Sequence, residues 1–187
     1  MTMVAAPIPI APEKIKSNGE LKPQKVKIDF QQLAFCDEAV NYLSRFFLTP
    51  DIWDSLCDDD KNGAFLFDVA DGLRNGRNIM WVPIIDGSPC GLLYGYFMNG
   101  GLVEGHFGIF KEYRKQSVQI VKEGVGQFFE VTKAHSVIGI IPVSNKRAVY
   151  CAMMAGFHIT HKLDKYFKKN GKLEPTYMMI KERENGT

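Results

Sequence analysis

Residues 141–157 read IPVSNKRAVYCAMMAGF, and the chemistry of the chain changes three times within them. The run from Val137 to Pro142 is apolar and β-branched and short, which predicts a buried strand. Ser144 and Asn145 end it, and both are residues whose side chains satisfy the free N–H groups of a helix start. A helix is therefore expected to Ala155. Gly156 follows as its C-terminal glycine, free to adopt the left-handed turn that returns the chain to a strand. Strand, helix and strand on such short connections describe an α/β layer, not a bundle or a sandwich.

Working outward, the upstream segment Ser117–Lys133 places Val118, Val121, Val125, Phe128, Phe129 and Thr132 at helical spacing. Before it come three strands, Asn78–Ile85, Cys90–Met98 and Leu102–Phe110. The turns Asp86-Gly87-Ser88-Pro89 and Asn99-Gly100-Gly101 join them into an antiparallel meander. Helices are predicted at Asp37–Phe47, from Thr49-Pro50-Asp51 onward with Thr49 as N-cap, and at Ala64–Leu73. Lys25–Phe30 alternates as a first strand. Downstream, His158–Phe167 and Thr176–Lys181 form a hairpin around Lys169-Asn170-Gly171. Residues 1–24 hold four prolines among small apolar residues and scattered lysines, a composition that builds no core element. The expected organisation is an extended arm, 1–24, and one mixed α/β domain, 25–187.

Composition narrows the function classes. The chain of 187 residues has a formal net charge of +2 and 24% charged residues, which gives no electrostatic footprint for nucleic acid or a membrane surface. Cys36, Cys57, Cys90 and Cys151 lie far apart with no histidine at ligand spacing, so reduced thiols and no metal site are expected. No apolar run approaches the ~20 residues of a membrane span. The N-terminus lacks a basic region and is interrupted by Pro7, Pro9 and Pro12, which is unlike a signal peptide and predicts an intracellular protein, or one made in the cytoplasm and then carried in a virion.

The order strand, helices, meander, helix, strand, helix, hairpin resembles that of the GNAT N-acetyltransferases. Asn145, Ala148 and Gly156-Phe157 stand as in that family's pattern of Asn, Ala three later and Gly-Phe eleven and twelve later. Phe110-Lys-Glu-Tyr-Arg114 is similar to the strand end that leads into the family's pyrophosphate loop. The resemblance covers roughly residues 90–160. A narrower likeness, carried by His106, Ile141–Asn145 and Phe167–Leu173, is to the GNAT-like proteins of tailed bacteriophages. It implies a mostly antiparallel twisted sheet flanked by helices, with acetyl-CoA as cofactor where the site is active. Phe110, Arg114, Lys115, Gln116, Ser117, Val118, Gln119 and Asn145 would then be cofactor contacts.

Three positions separate this chain from the family pattern. Ser117 and Gln119 occupy the two small positions of the Arg-x-x-Gly-x-Gly loop, where glycine permits close approach to phosphate. Ala152 occupies the position, seven after the Asn, where family enzymes often carry a tyrosine general acid. Tyr150 is displaced from it by about 200° around the helix. Glu104 and His106 share one face of their strand and are the candidate general base, an imidazole being able to accept a proton near neutral pH.

Two functional expectations follow from the resemblance. In the first, the acyl-CoA site is degenerate and the protein is a virion-associated or assembly component, docked through residues 1–24 to a capsid, portal or internal virion protein, with a homo-oligomer as a further arrangement. In the second, it is an acyl-CoA-dependent N-acetyltransferase acting on an amine. The three departures tilt the expectation toward the first. Among other residues, His135 reads as a surface position at a helix end, and His158 and His161 are expected on opposite faces of their strand, where they form no metal pair. Asp58-Asp59-Asp60 reads as a solvated helix-end turn.

Overall fold

The computed structural model describes residues 25–57, 59, 63–98 and 100–184. The arm expected at 1–24, and Asp58 and Asp60, lie outside them. The predicted meander forms from β2 (Asn78–Ile85), the two-residue β3 (Ser88–Pro89), β4 (Gly91–Met98) and β5 (Leu102–Ile109). β1 (Asp29–Gln32) adds to the edge of β2, pairing Asp29 with Ile84. β6 (Ser136–Pro142) and the long hairpin β7 (His158–Lys169) and β8 (Lys172–Glu182) complete the order β1-β2-β4-β5-β6-β8-β7, with β3 on β2. Among the described residues every pairing is antiparallel except β5 with β6.

The first strand starts later than its alternation predicts, and the reason is a competing partner. The backbone N–H and C=O of Val26 bond to the side chain of Gln119, and the pairing of β1 with β2 begins at Asp29. Thr49 does stand at the start of α2 (Pro50–Leu56). Its hydroxyl donates back to Arg45 O at 3.1 Å and does not cap the helix.

Strand alternation sorts the side chains into two cores. Ile79 and Trp81 of β2, Leu93 of β4 and Val103 of β5 face α4 (Ser117–Thr132) and α5 (Lys146–Met154). Met80, Val82, Leu92 and Tyr94 face α1 (Asp37–Phe47), α2 and α3 (Gly63–Arg74). The fit on the α4 side is close. Trp81 and Phe128 meet edge to face at 4.8 Å, and a Cβ at Gly124 would stand 1.9 Å from Leu93 Cδ2. Full burial of such large apolar side chains contributes roughly 1.5–3 kcal/mol each. Among the described residues no helix is long and apolar enough to cross a membrane.

The stretch that opened the sequence analysis folds as its chemistry requires. Asn145 Oδ1 accepts from Ala148 N at 3.1 Å and caps α5. At the far end Gly156 has φ +95°, its N–H reaches Met153 O, and the N–H of Phe157 reaches Ala152 O. This paired closure satisfies carbonyls that the helix end leaves free and drops Phe157 into the core. Phe157 and α5 thereby act as a wedge. The β5–β6 ladder holds only Leu102 to Ser136, Val103 to Val137 and Glu104 to Ile138. Beyond Glu104 the two strands part.

Candidate functional site: the cleft between the parted strands

The parting of β5 and β6 leaves a cavity of about 480 Å3. Its two long walls are Gly105–Ile109 of β5 and Gly139–Pro142 of β6. Past Glu104 these strand edges have no ladder between them, so their backbone amide groups are left for another hydrogen-bonding chain. Cys151, Ala152 and Phe157 form the floor.

On the α4 side, Arg114 and Ser117 line the cleft. The run that departs from the glycine pattern, Arg114–Gln119, spans the end of a 3-10 turn, Lys111–Gln116, and the start of α4, into which that turn passes directly. The N–H and hydroxyl of Ser117 both turn back onto Arg114 O, the hydroxyl at 2.8 Å. What remains for an anion is the positive end of a 16-residue helix dipole and the charges of Arg114 and exposed Lys115. Arg114 Nη2 lies 3.3 Å from Asp51 Oδ2 of α2, which holds the guanidinium at the cleft's edge.

The other expected contacts on this run have separate fates. Phe110 packs edge to face on Phe46, at 5.6 Å, in the core under α1. Val118 packs on the opposite core. Gln116 Oε1 is buried without a hydrogen-bond partner among the described residues. Gln119 corrects the sequence reading most plainly. Its side chain does not press toward the cleft. Nε2 donates to Val26 O at 2.6 Å and to Glu123 Oε1 at 3.0 Å, and Oε1 accepts from Val26 N at 3.3 Å.

On the α2 side, His106 lines the cleft with Ser55, Leu56 and Phe167. Glu104 and His106 share a face of β5, as their spacing predicts, opposite Tyr96 and Tyr94. The His106 ring stacks on Tyr94 at 4.6 Å and 9°, and meets Tyr96 edge-on at 5.4 Å. Its Nε2 stands 3.2 Å from Glu104 Oε1, yet out of line for a hydrogen bond, and is otherwise buried without a partner among the described residues. The imidazole is thus fixed in orientation by aromatic packing, with a carboxylate placed to balance charge it acquires. Burial pushes the hydroxyls of Tyr94 and Tyr96 upward, so both remain protonated at neutral pH.

Asn145 also lines the cleft, although its side-chain oxygen is occupied by the helix cap. Ala152 lines the cleft, and Tyr150 is exposed and not among its lining residues. Several lining residues carried no sequence signal. Ser55, Leu56 and Phe167 come from distant elements. Cys151 read as an ordinary core thiol. Burial raises its pKa.

A twisted, mostly antiparallel sheet parted at a single parallel pair, with a helix N-terminus facing the opening, is the fold of the GNAT acetyltransferases. Solved structures similar to this chain include spermidine N-acetyltransferase from Vibrio cholerae in complex with CoA and spermine. The match has a TM-score of 0.70, 14% identity, and covers 82% of this chain and 95% of that one. Ribosomal-protein-S5-alanine acetyltransferase from Vibrio fischeri matches with a TM-score of 0.66, 12% identity, and covers 82% and 92% of the two chains. At these identities the likeness is one of fold. No protein-family model matches the sequence, and neither does any curated protein.

Proposed function

We propose that the protein is an acyl-CoA-dependent N-acyltransferase, with acetyl-CoA as donor and an amine as acceptor. The observation that carries this reading is the cleft itself, which runs between the strands from Arg114 and Ser117 at one end to His106 at the other. Acetyl-CoA fits these residues. Arg114 and the α4 dipole offer positive charge for the pyrophosphate, and the parted strand edges offer partners for the amides of the pantetheine arm. The bound thioester supplies an activated acyl group. His106 would be the group placed to take a proton from the acceptor amine, with the Glu104 carboxylate 3.2 Å from its Nε2, and the thiolate released from the thioester would take its proton from water. With Ala152 in place of a hydroxyl donor, rate enhancement comes chiefly from holding amine and thioester together.

Gln119 no longer argues for a degraded cofactor site, because its side chain is committed to Val26. Residues 1–24, on which docking in a virion or assembly role would rest, lie outside the described residues. The acyltransferase reading is tested by calorimetric titration with acetyl-CoA. Micromolar binding is expected, weakened about tenfold in Arg114→Ala, the worth of one charge-assisted contact. Absence of binding at millimolar ligand would sink the proposal.

A further inference from the structure

The acceptor wall of the cleft is made by two segments far apart in the chain. The end of α2 contributes Ser55 and Leu56, and the far end of β7 contributes Phe167. Just beyond these lining residues the two segments are stapled to each other. The N–H of Asp59 donates to Lys168 O at 2.9 Å, and the N–H of Gly171 donates to Asp59 Oδ2 at 2.7 Å. Lys169 Nζ reaches both Asp54 Oδ1 and Cys57 O at 3.5 Å.

The hairpin turn explains why the staple closes on one carboxylate. Asn170 and Gly171 both take left-handed backbone, with φ +51° and +73°, which presents the Gly171 N–H outward from the tip. That N–H, first among several contributions, holds the Asp59 carboxyl below the usual carboxylate range. Asp59 is therefore an ionised acceptor at neutral pH, and Lys169 adds positive charge beside it.

A polypeptide acceptor needs an open path away from the acyl centre. An extended chain advances about 3.3 Å per residue, so four residues require roughly 13 Å of groove. On the side of the cleft lined by Ser55, Leu56 and Phe167, the staple joins α2 to β7 and leaves no gap between these two segments at Asp59 and Lys168. The space inside is bounded by the apolar Leu56 and Phe167, the Ser55 hydroxyl and His106.

Resting on the acyltransferase reading above, we propose that the acceptor is a small aliphatic amine held whole between His106, Leu56 and Phe167, and that the α2–β7 staple excludes polypeptide N-termini. The discriminating probes are two conjugates of CoA, each joined through an acetyl bridge to an amine. One carries butylamine and the other the α-amine of a tetra-alanine peptide. Both are titrated calorimetrically into the full chain beside CoA itself.

The butylamine conjugate should bind at least as tightly as CoA, and the peptide conjugate about tenfold more weakly. Asp59→Ala, at an exposed position, and Lys169→Met, at a half-buried one, each remove a side-chain part of the staple and should bring the peptide conjugate within about threefold of CoA while leaving CoA affinity unchanged. Peptide conjugate binding as tightly as CoA to the wild type would overturn the proposal. So would discrimination that survives both variants, or a butylamine conjugate as weak as the peptide one. Failure of CoA itself to bind is a separate result, which ends the acyltransferase reading and this inference with it.

Discussion

Gln119 separates two accounts of this molecule, and substituting it tells them apart. If the side chain obstructed a phosphate cradle, Gln119→Ala would tighten cofactor binding and leave the fold alone. The structure gives the opposite expectation. The amide bonds to both backbone groups of Val26, at 2.6 and 3.3 Å, and to Glu123 at 3.0 Å. Lys25 Nζ lies 4.0 Å from the same Glu123 carboxylate, extending the attachment by one residue. Neutral hydrogen bonds contribute about 0.5–1.5 kcal/mol each, and at this half-buried position water recovers part of the loss. Alanine also returns a few tenths of a kcal/mol (roughly 0.4) in helix propensity.

The net cost should be about 1–2 kcal/mol. For a chain of this size that lowers the melting temperature by roughly 3–6 °C. Thermal unfolding followed by circular dichroism reads this directly, and calorimetry with CoA on the same sample should give a dissociation constant within about twofold of wild type. Gln119→Glu should cost more, since it turns a carboxylate toward Val26 O and Glu123. Tighter CoA binding by about tenfold with unchanged melting would refute the reasoning and put the side chain back at the cofactor.

Asn145→Ala should cost about 0.5–2 kcal/mol by uncapping α5, whereas Asn145→Asp, an equally good cap, should keep the melting temperature; loss in both variants would make capping the wrong account. Gly124→Ala places a methyl 1.9 Å from Leu93 Cδ2 and should destabilise by about 1–3 kcal/mol through overpacking, read by urea unfolding; a neutral result would mean α4 can lift off the sheet at no cost. Burial raises the hydroxyl pKa values of Tyr42, Tyr94 and Tyr96 above the unfolded value near ~10. Folding free energy linked to these groups is therefore fully present below that pH and is lost above it, where the unfolded chain releases protons that the folded chain keeps. Unfolding free energy should fall by up to about 1.4 kcal/mol per pH unit for each such tyrosine, and Tyr42→Phe should remove one share of the slope.

The legible part of this fold was the part decided by local rules. Gly156, Asn145 and the apolar faces of α4 and the meander each act over a few residues, and each stands where its chemistry predicts. The misread part was decided by contacts across the chain. Lys25–Phe30 alternates like a strand, yet its first half is taken by an amide from residue 119, and no periodicity carries that information. For the same reason Gln119 looked like an obstruction when judged by its position in a loop pattern. A pattern assigns residues to backbone positions; the direction of a side chain follows from what competes for it. The cleft shows both halves of this. Glu104 and His106 could be placed on one face from their spacing, but the staple between Asp59 and Gly171 joins positions 112 apart and has no signature in either segment. Contacts of this kind, between segments far apart in the chain, are therefore the ones that sequence reading reaches last.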